Sequence, residues 1–226
     1  MPNNYFQFKQ FIIHQDRCAM KVSTEACILG AWFANQQNDF KKVLDIGSGT
    51  GLLMLMLAQK WDANVHGIEI DPEAAEQLND NIQQSPWKKK CVVFTGDINN
   101  YPLPEVYDFI ISNPPFYEKN LESPSDKVNM ARHSSLLTLE ELIKAIDYNL
   151  SKNGSFGIIL PIDRSIYFEK LSIDNGFCLN QKLNISHSPA HAPFRSVMHF
   201  SRKAEKPSII HELLIRDAEG NYTDDF

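Results

Sequence analysis

The sequence predicts an open α/β sheet, and three observations predict it. The apolar run Val43-Leu44-Asp45-Ile46 stops at three glycines spaced two apart, Gly47, Gly49 and Gly51, and the apolar stretch Leu52–Ala58 follows at once. That order reads as a buried strand, a tight turn and a helix start. Further strand-like runs at Asn64–Ile70, Cys91–Thr95, Val106–Ser112, Ser155–Leu160, Phe177–Ser188 and Val197–Arg202 are separated largely by helix-period segments. Strands alternating with helices make a mostly parallel sheet, of seven strands by this reading. A chain of 226 residues is long enough to close one such core.

The glycine turn also limits the ligand. Its spacing is not the dinucleotide fingerprint, whose third glycine comes three residues after the second, and no Gly-Lys-Ser/Thr follows as in a phosphate loop. Asp45, just before the first glycine, would repel a phosphate and suits a cationic or amine-bearing ligand. D-x-G-x-G-x-G resembles the first motif of the class I methyltransferases. The resemblance implies a Rossmann-like fold with helices on both faces and the last strand antiparallel. It implies S-adenosylmethionine as cofactor and S-adenosylhomocysteine as product.

Composition excludes more than it selects. A net charge of −6 gives no general attraction to nucleic acid or anionic membrane, so a nucleic-acid partner needs a local basic face. The four cysteines, Cys18, Cys27, Cys91 and Cys178, form no CxxC. They read as reduced thiols of a cytoplasmic protein. No stretch has the length of a membrane span, no signal-like segment opens the chain, and a monomer is expected.

In chain order, residues 1–38 read as an N-terminal extension. Phe6–His14 alternates in part, as a strand or hairpin does, and Ser23 or Thr24 caps a helix running to about Asn35 with Ala26, Leu29, Trp32 and Phe33 inward. Residues 39–204 hold the sheet. Glu69 ends the second strand, where a carboxylate can accept both hydroxyl protons of a ribose, and Ile70 adjoins it. Asp71-Pro72 caps and starts the next helix, Glu73–Gln84. After the third strand, Asp97 and Ile98 suit an adenine, the acid toward its amine and the side chain over its ring; Asp97 equally suits a helix cap. Thr138-Leu139-Glu140-Glu141 is a capping box for Thr138–Ser151, ended by Asn153-Gly154, and Asp163–Asn175 is a further helix. Residues 205–226 read as an edge strand, Ile209–Ile215, and a loosely held acidic tail.

The chemistry is carried by Asn113-Pro114-Pro115-Phe116, which follows the fourth strand directly. The prolines end the ladder and stiffen the turn. An aromatic amine is a poor nucleophile because its lone pair is delocalised. The Asn113 side-chain oxygen and the Pro114 carbonyl can each accept one of its hydrogens, which favours a pyramidal nitrogen. Phe116 can stack on the ring. Such catalysis is alignment and partial-charge stabilisation, without a strong base. N-P-P-[FY] beside D-x-G-x-G-x-G resembles the amino-methylating branch of the class I enzymes. That branch acts on adenine or cytosine amines in nucleic acid and on a release-factor glutamine.

A second resemblance is carried by Phe8-Lys9-Gln10-Phe11, Asp16 to Val22, Thr24-Glu25, Leu29 to Trp32 and Arg195-Ser196-Val197. With these blocks the chain resembles, over almost its whole length, the bacterial family that methylates the adenine amine at nucleotide 37 of a valine tRNA. The resemblance implies tRNA as partner. It implies cofactor contacts from Asp45, Gly47, Gly49, Gly51, Glu69 and Asp97, and substrate contacts from Asn113, Pro114 and Phe116. Thr24-Glu25 departs from the family's Thr-Asp pair, so Glu25 is given no role. Lys9, Arg17 and Lys21 read on their own as solvated surface. With Arg132 of the long polar loop Tyr117–Leu137, and with Arg195 and Arg202, they become candidate RNA contacts. Arg195 and Arg202 lie in Gly176–Lys203, which carries no acid. His187, His191 and His199 in that stretch lack the accompanying ligands of a metal site, and none is expected. The competing readings are methylation of a release-factor glutamine, ribosomal RNA or DNA, and, from another class, a cofactor-binding module without catalysis or a nicotinamide oxidoreductase.

Overall fold

A computed structural model describes residues 3–115, 137–204 and 207–226. Phe116, Arg132 and the predicted loop up to residue 136 lie outside the described residues. The strands are β1 (Tyr5–Gln7), β2 (Ile12–His14), β3 (Lys42–Ile46), β4 (Asn64–Glu69), β5 (Cys91–Thr95), β6 (Tyr107–Ser112), β7 (Leu150–Pro161), β8 (Cys178–Ser186), β9 (Arg195–Ser201) and β10 (Ile209–Leu214). The helices are α1 (Thr24–Ala34), α2 (Leu52–Lys60), α3 (Pro72–Gln83), α4 (Leu139–Asn149) and α5 (Ile162–Asp174).

β1 and β2 form an antiparallel hairpin, and the other strands form one eight-stranded sheet in the order β10-β8-β9-β7-β6-β3-β4-β5. The seven expected strands are joined by the edge strand β10, which pairs parallel to β8. β9 runs antiparallel to both its neighbours, β7 and β8. Alternation along the buried strands assigns the faces. Val43, Phe109 and Ile159 point toward α1, α2 and the apolar side of α3. Leu44, Ile46, Ile110, Phe156 and Leu160 point toward α4 and α5.

The predicted caps are present. The Ser23 side chain accepts from Ala26 N, Asp71 from Glu73 N, and Thr138 and Glu141 close the capping box. Trp32, expected inward, is half-buried and meets His211 edge-on. Asn153-Gly154 does not end a helix. α4 stops at Asn149 and β7 begins at once, with Gly154 inside it beside a register shift. A Cβ at Gly154 would come within 3.0 Å of the Asp108 carbonyl, so the glycine marks a close strand passage rather than a turn. The tail is not loose either. Arg216 bridges to Tyr222, and the Thr223 hydroxyl donates to the Leu214 carbonyl at 2.5 Å.

His199 sits between Phe33 and Phe109, and neither ring nitrogen has a partner among the described residues. Burial pulls its pKa down to about 4. A histidine that the unfolded chain protonates near its ordinary value, but the fold does not, removes stability as pH falls from that value toward about 4. Denaturant titration is expected to show a loss of about 2 kcal/mol between about pH 7 and pH 5. A His199→Leu variant should lack this loss.

Candidate active site

The strand order builds the site. The chain runs β3, β4, β5 outward and then returns to place β6 on the other side of β3. Ligands of open α/β sheets bind at such a reversal, beyond the carboxyl ends of the strands. Ile46 pairs with Ile68 of β4 on one side and with Ser112 of β6 on the other. The glycine turn, Glu69 and Asn113 therefore emerge side by side. A cavity of about 320 Å³ opens there, lined by Gly47, Gly49, Glu69, Ile70, Asp97, Ile98, Asn113, Pro114 and Pro115 among others.

Gly47 and Gly49 have φ of +73° and +51°, and a Cβ on either would meet nothing within 4 Å. The turn thus needs glycine for its backbone and leaves its surface open to a ligand. Gly47 N and Ser48 N donate to the Ile68 carbonyl at 2.9 and 3.2 Å, which locks the turn to β4. Gly51 differs. It is the left-handed N-cap of α2 and does not line the cavity, and a Cβ there would run into Leu78. Its lack of a side chain makes room for Leu78 rather than for the cavity.

The Glu69 carboxylate accepts from Gly49 N at 2.8 Å through one oxygen and from Asp71 N at 3.0 Å through the other. Each oxygen keeps lone-pair capacity for a hydroxyl proton. Asp97 accepts from Asn99 N at 2.9 Å, so it caps its own turn while lining the cavity. Asp45 lies beneath the turn rather than on the cavity wall, fully buried, with neither carboxylate oxygen partnered among the described residues. Burial, and then the charge of Glu69, push its pKa well above the carboxylate range. An orphaned buried carboxylate under an open glycine cradle fits a ligand that brings positive charge. At the reacting side, the Ser112 hydroxyl donates to the Ile46 carbonyl at 2.9 Å and ties the start of the Asn-Pro-Pro turn to the glycine turn.

One wall was not foreseen. Cys18, Ala19 and Met20 close the cavity from the N-terminal block. Two buried amides of α3 hold them there. Asn81 Nδ2 donates to the carbonyls of His14 and Thr50, both at 2.9 Å, and its Oδ1 accepts from His14 N. Gln77 accepts from Arg17 N at 3.0 Å and donates to Asp16. The signal in the sequence is a pair of amides at i and i+4 among Ala74, Leu78 and Ile82, on the apolar stripe of the helix. The Cys18 thiol, pushed up to about 11 by burial and by Glu69, is a neutral wall group.

Of the cationic candidates among the described residues, Arg202 is set apart from the rest. Arg17 pairs with Asp80 and with Glu76. Arg195 stands at the carboxyl edge of the sheet, 3.9 Å from Glu25. Arg202 is at the opposite edge, because β9 runs antiparallel and carries its two ends to opposite sides. There it bonds Asp147 at 2.6 Å and the Leu150 carbonyl, which removes it from the site. Lys9 and Lys21 are exposed, and Lys21 adjoins the cavity residue Met20. Among the described residues no group of three His, Cys, Asp or Glu is placed to hold a metal ion, and no helix is long and apolar enough to cross a membrane.

Comparison with known proteins shows the family of the chain. Residues 28–162 match the methyltransferase small domain family. A tRNA1(Val) (adenine(37)-N6)-methyltransferase of Dyadobacter fermentans is 41% identical over 97% of this chain and 92% of its own. The corresponding enzymes of Bacteroides thetaiotaomicron and Photorhabdus laumondii are 39% and 38% identical, over 100% and 98% of this chain and 95% and 91% of theirs. The chain belongs to the tRNA1(Val) (adenine(37)-N6)-methyltransferase family. The fold of this family member is shared with a predicted O-methyltransferase of Agrobacterium tumefaciens, with a TM-score of 0.66 at 15% identity over 88% of this chain and 92% of that one. It is shared also with P. horikoshii TYW2 in complex with MeSAdo, with a TM-score of 0.62 at 15% identity over 88% and 71%.

Because the Asp45 carboxyl is raised, ionising it costs the folded protein free energy. That cost is absent below the ordinary carboxylate pKa and grows as pH rises through the raised one. Asp45→Asn is therefore expected to stabilise the cofactor-free protein relative to wild type, increasingly so with rising pH. Paired denaturant titrations of the two proteins across the acid-to-neutral range measure this difference.

Proposed function

We propose that this chain transfers the methyl group of S-adenosylmethionine to the exocyclic amine of adenine 37 in a valine tRNA, in the cytoplasm and as a monomer. The observation that carries the reading is that Asn113 and Pro114 line the same cavity as Gly47, Gly49 and Glu69. The relatives named above, alike over nearly their full lengths, support the same substrate.

In this reading Glu69, already fixed by two backbone amides, takes the ribose hydroxyls. Ile70, Asp97 and Ile98 take the adenine of the cofactor. Gly47 and Gly49 give its amino-acid end access to the backbone, above the buried Asp45 carboxyl, which the ligand's positive charge would favour in its ionised form. The cofactor, when bound, supplies an electrophilic methyl on a sulfonium. Asn113 Oδ1 and the Pro114 carbonyl each accept a hydrogen of the target amine and turn its lone pair toward that methyl. Pro115 stiffens the turn, and Phe116 stacks on the target ring. The amine proton becomes acidic only as the new bond forms, so no strong base is needed. Catalysis here consists of holding the amine in line and stabilising charge on it. The target base leaves its stack to enter the cavity, at modest cost in a single-stranded loop.

The test is incubation with labelled cofactor and either total tRNA or a release factor, followed by nucleoside analysis. Label is expected in N6-methyladenosine of tRNA; label only in the protein would reject the reading. Asn113→Ala is expected to lower kcat by about a hundred- to a thousandfold, the scale of one lost transition-state contact. Cofactor affinity by calorimetry should stay unchanged. An unimpaired rate would remove Asn113 from its role.

A further inference from the structure

A second cleft, of about 260 Å³, lies along the same carboxyl edge of the sheet, where β8 and β10 end and β9 begins. Its lining includes Glu25, His187, Phe194, Arg216, Tyr222 and Phe226. On one side the His187 ring stacks on Phe194 at 4.0 Å and 8°, with the Arg195 guanidinium 5.5 Å from the Phe194 centroid. On the other, Tyr222 stacks on Phe226 at 5.3 Å and 23°, with the Arg216 guanidinium 4.2 Å from the Tyr222 centroid. The folded-back tail fixes this second stack, through the Arg216–Tyr222 bridge and a 2.5 Å bond from Arg216 Nη1 to the Gly220 carbonyl. Tyr222 and Phe226 are nonetheless 62% and 45% exposed, so they are held in place with their surfaces open.

We propose that this cleft is a second RNA-binding shelf, which takes unstacked nucleotides flanking the target adenine; the proposal rests on the tRNA reading above. Aromatic faces beside guanidiniums are the chemistry that holds single-stranded bases and their phosphates. Two acids that would repel a phosphate are engaged, Glu25 by Arg195 and Asp217 by the Asn221 amides. Asp224 and Asp225 remain exposed, so the shelf reads base faces rather than serving as a general anion site. The spacing suits the role. β8 and β10 are three and four strands from β6, which puts the shelf roughly 14–19 Å along the edge from Asn113. A few nucleotides of an opened loop span that distance.

The double variant Tyr222→Ala with Phe226→Ala is expected to raise KM for tRNA about tenfold or more, on the scale of losing base–aromatic stacking. Its kcat at saturating tRNA and its S-adenosylmethionine affinity should be unchanged. Tyr222→Phe should restore KM when combined with native Phe226. In parallel, an anticodon stem-loop carrying thiouridines beside the target adenine is expected to crosslink wild-type protein within residues 187–226. Methyl transfer to tRNA with an unchanged KM in the double variant, or crosslinks confined to other segments, would overturn the shelf alone. Failure of the unaltered protein to methylate tRNA would overturn both the shelf and the reading beneath it.

Discussion

The site depends on β3 having β4 on one side and β6 on the other. One residue, Ile46, is in register with Ile68 and with Ser112, so two turns far apart in the chain leave the sheet at the same height. The Ser112 hydroxyl then bonds the Ile46 carbonyl and fixes the spacing between them. Nothing in the glycine turn or the Asn-Pro-Pro turn alone would place a methyl donor opposite an amine. Parallel pairing of β3, β4 and β6 brings the two turns to one edge, and the reversal of winding opens a crevice there.

Electrostatics at that edge are set by two acids with opposite treatment. Glu69 has both oxygens bonded to backbone N–H groups, so it is anchored and still able to accept. Asp45 is one strand away, fully buried, with no partner among the described residues for either oxygen. A fold that keeps such an orphan carries an energetic cost, and a bound cation would offset it. The N-terminal block completes the enclosure by a different device. Asn81 and Gln77 spend their hydrogen-bonding capacity on His14, Asp16, Arg17 and the Thr50 carbonyl. That network ties the wall residues Cys18 to Met20 to the same helix that Asp71 caps.

Where the chain changes period abruptly, its sequence was readable. The glycine turn, Glu69, Asp71 and Asn113 all follow buried strands, and periodicity with turn chemistry locates such points. Features set by direction or by long-range pairing were not readable in that way. Arg202 looked like a neighbour of Arg195, yet an antiparallel β9 carries them to opposite edges. Asn153-Gly154 looked like a stop signal, but the register shift of β7 against β6 overrides the local preference. Gly51 also stands apart from Gly47 and Gly49, because the room it leaves is taken by Leu78 of α3, a later segment of the chain. Each error treats neighbours in sequence as neighbours in function.

The same distinction explains how a chain of net charge −6 can serve a polyanion. Several cations are consumed by the fold: Arg17 by Glu76 and Asp80, Lys182 by Glu169, Arg202 by Asp147. Those residues do not add to the affinity that comes from counterion release, which scales with the number of cations that meet phosphates. Surfaces that hold bases by their faces, and a cavity that admits one of them, add affinity that does not depend on net charge. Aromatic rings fixed beside arginines at the carboxyl edge, together with an Asn-Pro-Pro turn at the same edge, offer such surfaces. Such binding discriminates an opened loop from a duplex, because only unstacked bases offer their faces.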